Sequence, residues 1–192
     1  RGYEVSDIAY NNGLAGLRYV ATDYNNDSAD NLAARAYAVY VLAKAKDAKL
    51  SELRYLADNY LDRMPTGLAL AQLGTALALN GDIARANGAF DAALLAANRA
   101  RRHMLDYGSD LRDLAAIITL LSEAKLPGRD PTAYLETLAS MQAGRNYLST
   151  QEEVWILMAA KATTSSTLSN ISISRDAETS INQTKPYFLH LA

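Results

Sequence analysis

Segments that are apolar on every side alternate along this chain with segments that carry one apolar stripe. If both kinds are helical, the first must be buried on most of its surface, whereas the second needs cover on one face only. The all-apolar segments span residues 32–43, 66–79, 111–121 and 148–162, and the striped ones span 50–61 and 83–97. We therefore predict a two-layer helical fold, with inner helices of the first kind and outer helices of the second.

The helix predicted over residues 148–162 has the clearest start signal. Ser149 precedes Glu152 at the spacing of a capping box, in which the hydroxyl and the carboxylate each satisfy one backbone donor. An unbroken apolar run containing Trp155 follows. We predict that this helix is buried all round and that Trp155, like Tyr37 and Tyr40, belongs to the core.

Turn and cap residues such as Pro65, Asn80-Gly81 and Asp130-Pro131 divide the chain into about eight helices, paired into roughly four hairpins. The predicted fold is all-α, an incomplete α/α toroid in which two helical layers close into a ring. A solenoid of helical repeats is the alternative. It fits less well because a tetratricopeptide array would repeat its residues every 34 or so positions, whereas these pairs vary in length.

The composition changes near residue 163. Residues 1–162 form the helical region, whereas residues 163–192 are rich in Ser, Thr and Asn, with Leu168, Ile171 and Ile173 spaced mostly by polar residues. This tail is too short for an independent β domain, so we expect a short β segment that begins a following domain or serves as a linker. The start at Arg1 suggests that the chain is part of something longer.

Charge and composition argue against several kinds of partner. A formal net charge of −2 gives no field that would recruit nucleic acid, and we expect membrane contact only through an anchor outside these residues. The chain has no cysteine, and His103 and His190 have no second ligand at helical spacing, so neither a metal nor a cofactor is predicted. The basic cluster of Arg99, Arg101, Arg102 and His103 fits the end of a helix.

Five separated motifs together resemble the helical thioester domain of the bacterial alpha-2-macroglobulin family, where they occur in the same order. They are RAYAVYVLA (35–43), LRYLAD (53–58), LALAQLGTALALNGD (68–82), YGSDLRDLA (107–115) and LSTQEEVWILMAA (148–160). The resemblance implies part of a large protein of the periplasm or cell envelope that traps foreign proteases after a bait segment is cut. Proteases and neighbouring domains of the same chain would be its partners.

The resemblance also sets limits. The family's Cys–Gln thioester motif lies upstream of the matching region and is absent here. The family's ring is larger, so helix pairs are expected to precede Arg1.

Six residues in early turns of the predicted inner helices are candidates for binding: Arg35, Gln72, Arg112, Asp113, Thr150 and Gln151. Parallel inner helices would bring their N-termini, with their partial positive charge, to one face, which we call the rim. The family's thioester also begins an inner helix, so the resemblance places it there. We expect replacement of Gln151 or Asp113 to alter reactivity while sparing stability.

Arg112 and Asp113 have a second interpretation, an ion pair inside the ring, which is favoured because buried charges are costly unless paired. An α/α-toroid enzyme of the glycosidase type is a further alternative, with Asp110, Asp113, Glu152 and Glu153 as possible acids and bases. Aromatic platforms and adjacent aspartates are lacking, so no catalytic residue is predicted. A helical-repeat interaction scaffold is the second choice of function.

Overall fold

The computed structural model describes residues 5–97 and 108–164, and the backbone of residues 171–173 and 181–183. Within these ranges lie α1 (Asp7–Ala21), α2 (Ala29–Lys44), α3 (Leu50–Tyr60), α4 (Gly67–Leu79), α5 (Ile83–Ala97), α6 (Asp110–Ala124), α7 (Leu135–Ala143) and α8 (Thr150–Thr164). Short 3₁₀ turns, Leu61–Arg63 and Pro131–Tyr134, follow α3 and precede α7. Strands β1 (Ile171–Ile173) and β2 (Ile181–Gln183) pair antiparallel. The all-α class predicted for the helical region is confirmed.

The helix boundaries follow from residues that the sequence places there. Ser6, Ser28, Thr66 and Ser109 are the N-caps of α1, α2, α4 and α6, and the side-chain oxygen of each accepts a backbone hydrogen bond from the first turn. After α4 the chain turns through Gly81, whose positive φ of 82° suits a residue without Cβ. These boundaries are therefore encoded locally.

The even-numbered helices form the inner layer. Helices α2, α4, α6 and α8 pack side by side in that order; α1 packs on α2, α3 on α4, α5 across α4 and α6, and α7 on α6. Nearly every side chain of α4 is buried, and α6 is buried continuously from Leu111 to Leu121. Both are inner helices, as their all-apolar sequences predict.

The inner helices run in the same direction. At their starts, the backbone N–H of Gly67 in α4 reaches Asp113 in α6, and Ser109 before α6 reaches Glu152 in α8. Further along, the hydroxyl of Thr75 donates to the carbonyl of Leu120 in α6. Late in α2, the half-buried Tyr40 donates from its hydroxyl to Glu123, near the end of α6, at 2.8 Å. Parallel packing brings the inner N-termini to one end of the fold.

The prediction that α8 is buried all round is wrong. Leu157 is 71% exposed and Val154 is 49% exposed, while Trp155 is only half-buried. The reason is that α8 packs chiefly against α6 within the described part of the chain, so its opposite side has no neighbour there. Tyr37 is also no core residue, because it is 53% exposed.

Within residues 5–97 and 108–164, every helix falls short of the length and apolar character needed to cross a bilayer.

Candidate functional site

Asp113 joins the starts of two inner helices. One of its carboxylate oxygens, Oδ2, accepts a hydrogen bond from the backbone N–H of Gly67 at 2.9 Å, so a side chain of α6 caps the first residue of α4. The other, Oδ1, accepts from Nε of Arg112 at 2.7 Å. Because a carboxylate at a helix N-terminus satisfies an orphan donor and complements the helix dipole, Asp113 stabilises the junction of α4 and α6.

Arg112 extends this junction to the third inner helix. Its Nη1 donates to Oε1 of Gln151, in the first turn of α8, at 3.1 Å. The side chains of Arg112 and Asp113 are each 3% exposed, so the pair is shielded from solvent. The ion pair favoured from the sequence is therefore present. Because replacement of Asp113 would remove this carboxylate from a buried guanidinium, we now expect the change to lower stability, unlike the expectation drawn from the sequence.

Glu152 makes a second junction, between α6 and α8. Its Oε2 accepts from the backbone N–H of Ser149 at 2.7 Å, and its own N–H donates to Oγ of Ser149 at 3.3 Å, which confirms the predicted capping box. Its Oε1 accepts from Oγ of Ser109 at 2.5 Å. One carboxylate therefore links the N-caps of two neighbouring inner helices.

The environment of Glu152 favours its ionised form. Burial opposes ionisation, but hydrogen bonds from Ser109 and Ser149, with the charge of Arg145 nearby, outweigh it and lower the pKa of Glu152 from its ordinary value of 4.5. A carboxylate whose pKa is lower in the folded state stabilises the fold above its unfolded pKa. That contribution is lost as the pH falls through the folded pKa.

Glu152→Gln should therefore reduce the loss of stability in acid. We expect the free energy of unfolding of the parent to fall more steeply than that of Glu152→Gln as the pH drops below 4.5. Urea titrations at a series of pH values measure the difference, with Glu153→Gln, at an exposed neighbouring position, as the matched control. If Glu152→Gln and Glu153→Gln show the same acid dependence, the assignment of Glu152 to this junction is wrong.

The six predicted rim residues divide into two groups. Arg112, Asp113 and Gln151 form one hydrogen-bonded cluster, and the exposed Thr150 begins the helix that carries Gln151. Arg35 and Gln72 have no hydrogen bond to this cluster in the described residues, as set out next. Of the six residues, Thr150 and Gln151 are exposed, whereas the other four are buried.

Arg35 requires a correction, because its side chain is fully buried. Its Nε donates to the backbone carbonyl of Ala21 at 3.3 Å, and its guanidinium lies 4.9 Å from the ring centre of Tyr24 and 5.2 Å from that of Tyr60. The hydrogen bond ties α2 to the end of α1, and the cation–π contacts tie it to the turn after α1 and to the end of α3. Gln72 is likewise only 6% exposed within α4. Periodicity indicates in which turn of a helix a residue lies but not in which direction its side chain points. Both residues were therefore expected at the rim although their side chains are buried.

Two members of the network were missed in the sequence, Gly67 and Ser109. Ser109 carries a readable N-cap signal, but its bond to Glu152 depends on the packing of α6 against α8. No local pattern connects the backbone of Gly67 with Asp113.

The basic cluster at Arg99, Arg101, Arg102 and His103, and His190, lie outside the described residues. Among the residues that are described, no three His, Asp or Glu side chains gather as a metal site would require.

No family model matches the chain. Alpha-2-macroglobulin of Escherichia coli K12 is 37% identical over 171 residues, which cover 84% of this chain and 10% of that protein. Alpha-2-macroglobulin of Xylella fastidiosa Temecula1 is 35% identical over 147 residues, covering 72% of this chain and 9% of the relative. The chain thus spans about a tenth of the length of these curated relatives.

Solved structures agree with the sequence relatives. The crystal structure of Salmonella alpha-2-macroglobulin reacted with methylamine matches with a TM-score of 0.74 and 34% identity, over 84% of this chain and 11% of that one. Trypsin-activated alpha-2-macroglobulin from Escherichia coli matches with a TM-score of 0.72 and 31% identity, over 96% of this chain and 13% of the other. Relatives in sequence and in structure thus agree, and the chain belongs to the bacterial alpha-2-macroglobulin family.

Proposed function

We propose that the chain forms part of the helical framework of a thioester-type domain. The domain would belong to an envelope or periplasmic alpha-2-macroglobulin that traps foreign proteases. The observation that carries this proposal is the similarity to the Salmonella protein, whose crystal structure was obtained after reaction with methylamine. Methylamine is a small nucleophile, and reaction with it is what a reactive acyl group such as a thioester would undergo. This chain would supply the frame beside that group, not the group itself.

The helix arrangement supports a ring. Inner helices that pack in order, with outer helices behind α2, α4 and α6, are the arrangement expected of an arc of an α/α toroid. The apolar side chains of Val154, Leu157 and Met158 point away from that arc on α8, where further helices of a closed ring would cover them. Residues 163–192 would then begin the next domain, and neighbouring domains would be permanent partners of the ring.

The rim is the proposed functional surface of the frame. Early turns of α4, α6 and α8 lie together, and helix N-termini provide amide donors and partial positive charge suited to a carbonyl or a carboxylate. Gln151 and Thr150 are exposed there, and Arg112 holds Gln151 by a hydrogen bond to its side-chain oxygen. In this proposal the surface contacts the reactive acyl group or the nucleophile that attacks it.

Two other functions receive less support. An acid–base enzyme would need available carboxylates, but Asp113 and Glu152 are each committed to caps and to a charged or hydroxyl partner. A helical-repeat scaffold would fit the ordered packing of the helices. The relatives in sequence and structure favour the protease trap, in which the attacking protease is the only catalyst.

The test of this function uses a full-length protein that contains the chain. After active trypsin is added, we expect the protease to co-elute with the protein, to cut small peptides and to lose activity on large protein substrates. Catalytically inactive trypsin, which cannot cut a bait, is the control and should elute separately. If active trypsin also elutes separately and keeps its activity on large substrates, the proposed function is wrong.

A further inference from the structure

The guanidinium of Arg35 is fully buried without a full set of hydrogen-bond acceptors. Its Nε donates to the carbonyl of Ala21, but Nη1 and Nη2 are shielded from solvent and have no acceptor within the described residues. No ion pair in that part of the chain includes Arg35. A buried charged donor without an acceptor is costly, so this position favours a group that can accept from both nitrogens.

Aromatic rings compensate for only part of this burial. The guanidinium carbon lies 4.9 Å from the ring centre of Tyr24 and 5.2 Å from that of Tyr60. Both rings attract the positive charge, but neither provides the oxygen acceptors that Nη1 and Nη2 lack. These two nitrogens form a planar fork that matches the two oxygens of a carboxylate. The chemistry of the site therefore favours a planar anion.

The ring of Tyr24 also borders a surface cleft, where the turn after α1 meets the start of α3. The cleft has a volume of about 490 Å³ and is lined by Tyr24, Lys49, Ser51, Glu52 and Tyr55. Tyr24 is 46% exposed and contacts Tyr55 edge to face, with the ring centres 5.2 Å apart. Because this one ring contacts both the guanidinium and the cleft, its rotation would open a path from the cleft to Arg35.

The charges near the cleft favour an anion with a single charge. Nζ of Lys49 lies 3.4 Å from Oε1 of Glu52, so these two charges largely offset each other. Beside Tyr60, Arg63 pairs with Asp27 in the same way. Arg35 therefore adds one positive charge that no carboxylate in the described part of the chain offsets. A doubly charged phosphate would need a second such cation, whereas a carboxylate needs one.

We propose that Arg35 is a binding site for one carboxylate, which enters from the cleft, displaces the ring of Tyr24 and accepts hydrogen bonds from Nη1 and Nη2. A free carboxylic acid and the C-terminal carboxylate of a peptide share this chemistry. The two sources are distinguished by the probes used in the test. The inference does not depend on protease trapping.

A nuclear magnetic resonance titration of the full 192-residue chain tests the site. Sodium acetate replaces sodium chloride at constant ionic strength while the Nε–Hε signal of Arg35 is followed. We expect a saturable shift with acetate and none with acetamide, which has a similar shape but no charge. If acetate gives no saturable shift, or if phosphate binds more tightly than acetate, the proposal is wrong.

A second pair of probes identifies the source of the carboxylate. An acetylated dialanine peptide with a free C-terminus is compared with the same peptide ending in an amide. Either peptide carries the same backbone, so a shift of the Arg35 signal with the free acid alone supports recognition of the carboxylate. Tighter binding of this peptide than of acetate would assign the site to a peptide end, and weaker binding would assign it to a free acid. Equal shifts with the free acid and the amide would overturn the proposal.

Arg35→Lys keeps the positive charge but removes the fork, so the affinity for acetate should fall about tenfold or more. Binding to this variant is followed at the backbone N–H signal of Tyr24. Arg63→Lys is the matched control, because Arg63 also lies 5.2 Å from the ring centre of Tyr60 but is half exposed and paired with Asp27. It should bind acetate as the parent does. Equal affinities in Arg35→Lys and Arg63→Lys would contradict the assignment.

Tyr24→Ala keeps the test decisive if Arg35→Lys does not fold. Removal of the ring that covers the guanidinium should tighten acetate binding, because the ligand no longer has to displace it. Tyr24→Phe keeps the ring and should bind as the parent does. If Tyr24→Ala and Tyr24→Phe bind acetate equally well, the carboxylate does not reach Arg35 from the cleft and the proposal fails.

Discussion

Asp113→Ala is expected to lower the free energy of unfolding by about 3–5 kcal/mol, the cost of breaking a buried ion pair by removing one partner. The side chain of Arg112 is 3% exposed, so the change would remove the carboxylate of Asp113 from a guanidinium that is shielded from solvent. The same change removes the acceptor that caps Gly67 at the start of α4. Urea unfolding followed by circular dichroism measures the loss.

Asp7→Ala provides the control for Asp113→Ala. Asp7 is also a first-turn aspartate, but it is exposed at the start of α1, where a favourable dipole contact contributes only about 0.3–1 kcal/mol. A large difference between the two variants is therefore expected. Equal midpoints for Asp113→Ala and Asp7→Ala would show that the buried pair contributes nothing and that the junction of α4 and α6 is described wrongly.

Phe90→Ala should lower the free energy of unfolding by a similar amount, about 3–5 kcal/mol, because it leaves a cavity in the apolar core formed by α1 to α5 and one side of α6. The ring of Phe90 is fully buried and lies 3.0 Å from where a Cβ on Gly74 would be. Glycine at position 74 thus allows α5 to approach α4 closely, and the ring fills the contact. Removal of the ring would leave atoms of both helices without partners.

Leu95→Ala, on the same helix, separates this cavity effect from helix propensity. Leu95 is 62% exposed, so its replacement should change the free energy of unfolding by less than about 0.5 kcal/mol. Both variants are compared by urea titration against the parent. If Phe90→Ala unfolds at the same urea concentration as Leu95→Ala, α5 does not pack on α4 through this residue.

Local signals explain why much of the fold could be predicted. Ser149 and Glu152 lie at capping-box spacing, and the all-apolar sequences of α4 and α6 require neighbours on every side. α8 has a similar sequence but a different burial. An apolar run indicates which faces of a helix are more stable when buried. It does not indicate whether a neighbouring helix is present to bury them.

The candidate site was less accessible to sequence reasoning for two physical reasons. Periodicity placed Arg35 in an early turn of an inner helix, but the attraction of its guanidinium to the rings of Tyr24 and Tyr60 depends on how α2, α3 and the turn between α1 and α2 pack together. Similarly, an Arg112–Asp113 pair can be suspected from neighbouring opposite charges, whereas the bond from Gly67 to Asp113 joins residues far apart in the chain. Contacts of this kind are fixed by tertiary packing.

The rim is tested most directly by the rate at which methylamine reacts with Salmonella alpha-2-macroglobulin whose matching region has been replaced by this chain. Gln151→Ala removes an exposed side chain at the start of α8, and Thr164→Ala removes one at its end. A helix of 15 residues separates them by roughly 20 Å. Because Gln151→Ala also removes the acceptor for Nη1 of Arg112, the rates are compared per folded molecule. Our account predicts that Gln151→Ala changes the methylamine rate and Thr164→Ala does not; equal rates in all three folded proteins would contradict it.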